Sequence, residues 1–302
     1  MEKYCQTNKL DSISSNDINH IKKHRLKDND FSSVDFRDFN YRVSLNKEEK
    51  VDTNSSPIIT MLENWNKQKK TFRYLNRFKF RHNSFPIIID ISIVKESNKK
   101  DNRFYIPEYN IHDSGVFTSE KKYEIEIEVL NNNVGIGSLF NTPDILNNNI
   151  LKPVIKYILA GIQETNYPIG FNEKTNILDS YMKLLWGKEY DPYKRVNASN
   201  FVGPSSVTLK IENIRPLNAD SNITNIRNSY TVTDKADGER KLLFIDPNGK
   251  IYLINTNMSI QFTGVLSKNK EVWNTLIDGE HILYNKNKKF INMYAAFDIY
   301  YI

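Results

Sequence analysis

From Tyr41 onward the chain alternates apolar and polar residues in short runs, at residues 41–45, 71–82, 86–96 and 121–130. A period of two puts successive side chains on opposite faces of a strand, so these runs predict a mainly antiparallel sheet or barrel. The period then lengthens. Ile150, Leu151, Val154, Ile155, Ile158, Leu159 and Ile162 recur at helical spacing, as do Ile177, Leu178, Tyr181, Leu184 and Leu185 before Gly187. Two helices are predicted, each packing one face onto a sheet. Alternation resumes at residues 230–234, 241–245, 251–255, 274–277 and 293–301, with Pro247-Asn248-Gly249 as a hairpin turn. Before residue 38 the polar clusters show little periodicity and read as loop or short helix. The polar stretch 188–200, which contains Pro192, is the candidate domain boundary. The expected fold is α+β in two parts. Residues 1–195 are expected to form an antiparallel sheet or barrel with packed helices, and residues 196–302 part of a second α+β domain.

The charges sharpen this picture. Glu124, Glu126 and Glu128 alternate with Ile125, Ile127 and Val129, so a strand puts three carboxylates on one face. Like charges so placed are tolerable in water, around a divalent cation, or opposite fixed cations. The run Arg77-Phe78-Lys79-Phe80-Arg81 supplies three cations at the same period. If both strands line the inside of a closed barrel, they make a cradle for a polyphosphate, with the carboxylates on a metal and the cations on the phosphates. Arg42 and Asp90 sit on neighbouring runs and are expected to join it.

The 302 residues carry a formal charge of +6 and a pI near 9.0, which suits phosphate-rich substrates without demanding nucleic acid. One cysteine, Cys5, excludes an internal disulfide and a zinc ribbon and points to a reducing compartment. The N-terminus has no apolar core of a signal peptide, and the most apolar run is broken by Asp90, so a soluble intracellular protein is expected. The five histidines show no metal-ligand spacing, and Trp65, Trp186 and Trp273 read as packing residues.

The most specific signal is Lys235-Ala236-Asp237-Gly238-Glu239-Arg240, followed by Asp278-Gly279-Glu280 and Phe297-Asp298. A lysine amine can attack the α-phosphorus of a nucleoside triphosphate and expel pyrophosphate. Gly238 is expected to let the chain turn sharply there. This series resembles motifs I, III and IIIa of the covalent nucleotidyltransferases, the superfamily of mRNA guanylyltransferases and ATP-dependent polynucleotide ligases. The resemblance implies Lys235 as nucleophile, Arg240 as a ribose and phosphate contact, Glu280 as a ribose or metal contact, and Phe297 stacked on the base. Asp237 falls within the same nucleotide-binding motif.

The upstream strands resemble the tunnel-type, metal-dependent RNA triphosphatases of fungi, protozoa and large DNA viruses. That likeness implies Glu124, Glu126 and Glu128 on a metal, with Arg42, Arg77, Lys79, Arg81 and Asp90 around an RNA 5′-triphosphate. The first Glu-x-Glu strand of that family has no counterpart in residues 1–40, and the later nucleotidyltransferase motifs have none before Ile302. Together the resemblances imply an mRNA-capping protein of large-DNA-virus type, apparently truncated. It would remove the RNA γ-phosphate and then transfer GMP from GTP through lysyl-GMP, with Mg²⁺ or Mn²⁺. Phe201-Val202-Gly203-Pro204 resembles the lead-in of capping enzymes and favours GTP over ATP. The RNA 5′ end, GTP and a cap methyltransferase are the implied partners, and host cytoplasm or virion the implied location. Two other readings stay open: an ATP-dependent DNA or RNA ligase, and a catalytically incomplete capping fragment that only binds RNA ends.

Overall fold

The structure, a computed structural model, describes residues 13–14, 18–25, 33–204, 207–216, 223–232 and 235–302. Glu2, Cys5, Thr233 and Asp234 lie outside the described residues. The chain divides into two compact units, Met1–Val154 and Ile155–Ile302.

In the first unit, β1 (Ile21–Arg25) pairs antiparallel with β4 (Asn46–Lys50), and β2 (Val34–Phe36) with β3 (Tyr41–Val43). At residues 21–25 and 34–36 the expectation of loop or short helix therefore fails. Charge complementarity, which hydrophobic periodicity does not register, accompanies the first pairing: Lys22 faces Glu49 and Lys23 faces Glu48. Helix α1 (Ser56–Glu63) begins behind Ser55 with Pro57 in its first turn, where a missing N–H costs nothing.

The main sheet of this unit has the order β5 (Arg73–Arg81), β6 (Ile87–Glu96), β9 (Lys122–Val129), all antiparallel. A two-residue ribbon, β7 (Lys99–Lys100) with β8 (Phe104–Tyr105), interrupts the connection. The expected closed barrel does not form among the described residues. Only three strands share this sheet, and the remaining strands pair off as separate ribbons. Next to the sheet, the Lys70 ammonium donates to the carbonyls of Trp65, Gln68 and Tyr109 at 2.6, 3.0 and 2.7 Å and pins those loops together.

Helix α2 (Pro143–Leu146) is capped by Thr142, which accepts from the Ile145 N–H. It runs through a π-turn at Asn147–Leu151 into α3 (Lys152–Gln163). The wide turn lies just before Pro153, whose ring cannot donate the usual helical bond.

The second unit is helix α4 (Phe171–Trp186) packed on a five-stranded antiparallel sheet. The sheet comprises β10 (Glu239–Ile245), β11 (Lys250–Asn255), β12 (Ile260–Leu266), β13 (Leu276–Tyr284) and β14 (Phe290–Tyr301), in the order β12-β11-β10-β13-β14. Ile177, Tyr181 and Met182 of the helix meet Leu242, Phe244, Tyr252, Ile254 and Leu276 of the sheet. Each of these apolar side chains contributes about 1.5–3 kcal/mol when fully removed from water. This packing places α4 with the second sheet, so the compact units part at Val154, upstream of the 188–200 stretch read as the boundary. The helix stops at Gly187, which adopts φ 52°. The expected turn at 247–249 joins β10 to β11, with Asp246 Oδ1 accepting from the Asn248 and Lys250 N–H groups. Residues 230–232 are not strand, and β12 was not anticipated.

Candidate functional site

Strand β10 carries the end of the lysine motif. Its register against β13 puts Arg240 opposite Glu280 and Leu242 opposite Asp278, so Arg240, Asp278 and Glu280 share the sheet face that farther along holds Leu242 and Phe244. Glu280 reaches back to the approach to β10 and accepts the Gly238 N–H at 2.7 Å. That contact ties the two motifs together three residues past Lys235. Lys235 itself is exposed, and its ammonium touches only the Ala236 carbonyl at 3.4 Å among the hydrogen bonds seen. Asp237 is exposed.

The chain bends at Gly238 just before β10, as expected, whereas Asp278-Gly279 is not a turn. Asp278-Gly279-Glu280 lies inside β13, and neither Gly238 nor Gly279 adopts a positive φ. Both glycines are needed for closeness instead. A Cβ on Gly238 would lie 2.6 Å from the His281 carbonyl oxygen, and one on Gly279 would lie 2.4 Å from the Ala295 carbonyl oxygen. Phe297 follows a bulge in the pairing of β13 with β14, where Asp278 opposes Asp298 and Gly279 opposes Ala296, leaving Phe297 unpaired between them. It is 58% exposed, free to take a planar group on its ring.

Arg240 is the most heavily engaged member. Its Nε and Nη2 donate to Asp278 Oδ1 and Oδ2 at 3.1 and 2.6 Å, and its Nη1 donates to the Pro204 carbonyl at 2.5 Å. Phe201 lies under the guanidinium at 5.4 Å. Tyr300 donates to Asp278 Oδ2 at 2.7 Å. Burial pushes the Asp278 carboxyl up, but the bonds from Arg240 and Tyr300 outweigh it and hold the group below the ordinary range. Burial and Asp278 together push the Tyr300 phenol up to about 12. The sequence named Arg240 but missed Tyr300 and the carbonyl of Pro204, because neither carries a charge that a pattern would single out.

On the other sheet face, Lys241 lies 3.1 Å from His281 Nδ1 and 3.2 Å from Gln261 Oε1, and His281 Nε2 lies 2.8 Å from Asn292 Oδ1. His281 had been read as incidental. It is buried, and with its neighbours it cross-links four of the five strands behind Glu280.

In the first unit, the three-stranded sheet brings the expected charges onto one face. Lys79, Asp90 and Glu126 form one cross-strand row, Arg77, Ser92 and Glu124 the next, and Arg81, Ile88 and Glu128 the third. Arg77 pairs with Asp90 and Glu126, both at 2.9 Å. Lys79 pairs with Asp90 at 3.2 Å, and Arg73 with Glu124. Arg81 has no ion pair among the described residues, whereas Arg42 lies outside this sheet on β3, bound to Asp35. No group of three or more His, Cys, Asp or Glu side chains gathers to hold a metal among the described residues. Glu124 and Glu126 neutralise arginines instead, so this donor set does not fit a divalent ion held by Glu124, Glu126 and Glu128 alone.

Residues 173–302 match the family described as mRNA capping enzyme, catalytic domain. The matched span begins in the first turn of α4 and contains the rest of that helix, the whole five-stranded sheet and the Lys235 motif. The chain resembles the viral mRNA-capping enzymes. A probable mRNA-capping enzyme of Acanthamoeba polyphaga mimivirus is 29% identical over 211 residues, which make up 70% of this chain and 14% of that protein. The aligned stretch is longer than the family match, so the likeness reaches upstream of Glu173. No solved structure matches the chain. No described helix is long and apolar enough to cross a membrane.

Proposed function

We propose that the second unit transfers a nucleotide through Lys235 in mRNA cap formation. The deprotonated Lys235 amine attacks the α-phosphorus of GTP. The new N–P bond replaces the bond to the bridging oxygen, and pyrophosphate leaves with that electron pair. A terminal phosphate oxygen of diphosphate-ended RNA then attacks the same phosphorus, the N–P bond breaks, and the lysine recovers its proton. The observation that carries this reading is the hydrogen bond from the Gly238 N–H to Glu280, which joins the lysine motif to the Asp278-Gly279-Glu280 motif on one sheet face. Phe297 supplies an exposed ring for the base. Mg²⁺ or Mn²⁺ would arrive on the GTP phosphates, with at most one or two protein carboxylates such as Glu280. Its contribution when bound is to offset phosphate charge.

Incubation with α-labelled GTP and Mg²⁺ or Mn²⁺ tests the reading. An alkali-stable, acid-labile label that disappears in Lys235→Ala is the expected result, and absence of label from the wild-type chain defeats it. Labelling by ATP in preference to GTP assigns the site to a polynucleotide ligase instead.

For the first unit, the basic and acidic rows of the β5-β6-β9 sheet support a role at the RNA 5′-triphosphate, including removal of the γ-phosphate. Phosphate release from triphosphate-ended RNA, with and without Mn²⁺, checks this. Release that survives Glu126→Ala and Arg81→Gln together would place it elsewhere.

A further inference from the structure

We propose that Tyr300 is a positioning residue of the nucleotide site, fixing Arg240 through Asp278 and thereby holding the Phe201–Pro204 lead-in closed against the sheet. The inference rests on the reading of Lys235 and Arg240 given above and adds to it a residue outside the recognised motifs.

A guanidinium has five N–H donors. In this site Asp278 takes two from Arg240 and the Pro204 carbonyl takes a third. Two remain for a ribose or phosphate oxygen, and their direction is set by the plane in which Asp278 holds the group. Asp278 is itself 4% exposed, so its orientation is fixed by its partners rather than by water. Beside the Gly279 N–H, Tyr300 is the side-chain partner other than Arg240, and its hydroxyl binds the same Oδ2 that receives Arg240 Nη2.

The lead-in is built to fit this arrangement. Tyr181, fully buried in the core, accepts the Val202 N–H at 3.0 Å and donates to the Asn200 carbonyl at 2.8 Å. Gly203 then passes directly over the cluster with φ 122°. A Cβ there would lie 2.4 Å from Arg240 Nη2 and 2.7 Å from the Tyr300 hydroxyl. Only glycine fits that position on both counts, backbone conformation and space. The lead-in is thus held at Val202 by the core and at Pro204 by Arg240, with Tyr300 beneath Gly203.

The test uses the full chain. Tyr300→Phe removes only the hydroxyl. The expected result is a KM for GTP in adduct formation raised roughly tenfold with kcat little changed, as for the loss of an orienting bond to a charged group. Amide hydrogen exchange at Val202, whose N–H is held by the Tyr181 hydroxyl, should also accelerate. Gly203→Ala, whose methyl would press on Arg240 Nη2 and the Tyr300 hydroxyl, should displace the strap and give the same pair of changes. Wild-type exchange at Val202 in Tyr300→Phe overturns the proposal, and so does a fall in kcat at unchanged KM. The exchange measurement needs no nucleotide. A wild-type chain that forms no Lys235 adduct therefore defeats the functional reading, while the exchange comparison still decides the role of Tyr300.

Discussion

At the scale of single residues, the candidate site sets an exposed lysine beside groups that hold one another. Lys235 stands in the open, whereas Arg240 and Asp278 are locked to one another. Glu280→Gln keeps an oxygen to receive the Gly238 N–H and should retain much of the GMP-adduct formation. Glu280→Ala removes that acceptor together with any contact to the ligand, and should lower kcat/KM about a hundredfold. Equal losses in the two variants, measured by initial rates of labelling, would show that the charge matters and the tether does not. Glu96 offers a separate test of electrostatics. Desolvation raises its pKa, but hydrogen bonds from Lys122 and Tyr105 and the charges of Lys122 and Lys99 overcome this and bring it from 4.5 to about 2. A depressed carboxylate stabilises the fold fully above its unfolded pKa and loses that contribution as pH falls through the folded one. The window is therefore pH 4.5 down to about 2. The effect is on the order of 1–2 kcal/mol once solvent screening is allowed for. Glu96→Gln should flatten the fall in Tm across that window, and parallel curves for the two proteins would contradict the assignment.

At the scale of elements, close approach between strands explains the glycines and the tyrosines. Gly279→Ala forces a methyl against the Ala295 carbonyl and the Tyr294 ring, so β13 and β14 must separate. Overpacking of this kind costs about 1–3 kcal/mol, readable as a lower denaturation midpoint at unchanged slope. Tyr181→Phe leaves the Val202 N–H and the Asn200 carbonyl without their partner and should cost about 1–3 kcal/mol. A neutral result in chemical denaturation would mean that water replaces the hydroxyl. Elements with strong periodicity were legible in the sequence: β5, β6, β9, α4, β10, β11 and β14 all fall on runs whose pattern announced them. Strand β12 was not, because its alternation lasts only from Ile260 to Thr263 before Gly264 breaks it, and its identity comes from pairing with β11. The short β1-β4 ribbon escaped for the opposite reason. It is nearly all charge, and its order comes from lysines meeting glutamates across the pair.

At the scale of the whole molecule, the formal charge of +6 is small, and local arrangement decides what it can bind. Most cations of the β5-β6-β9 face are already neutralised, which leaves Arg81 as the group there without an ion pair among the described residues. If this face takes the RNA 5′ end, binding of triphosphate-ended RNA should weaken with salt, and Arg81→Gln should reduce the log–log slope by about 0.7, one phosphate contact on a single strand. An unchanged slope in a filter-binding titration would remove Arg81 from the interface. The division into two units also acts at this scale: α4, which the sequence placed before the boundary, belongs by packing with the sheet that carries Lys235.

The sequence by itself determined the chemistry on offer and the direction of most side chains. Lys235, Arg240, Glu280 and Phe297 stood out as candidates because their types and order are particular, and the shared face of Glu124, Glu126, Arg77 and Lys79 was readable because a strand's period is fixed by backbone geometry. Tertiary structure alone decided which groups meet. Whether a carboxylate faces a metal or an arginine depends on register between strands far apart in the chain, and here register gives Arg77 to Asp90 and Glu126. The same holds for Tyr300, whose hydroxyl gains a role only once β14 lies beside β13 and brings it within 2.7 Å of Asp278. Such pairings arise from long-range packing, and no local pattern of residues encodes them.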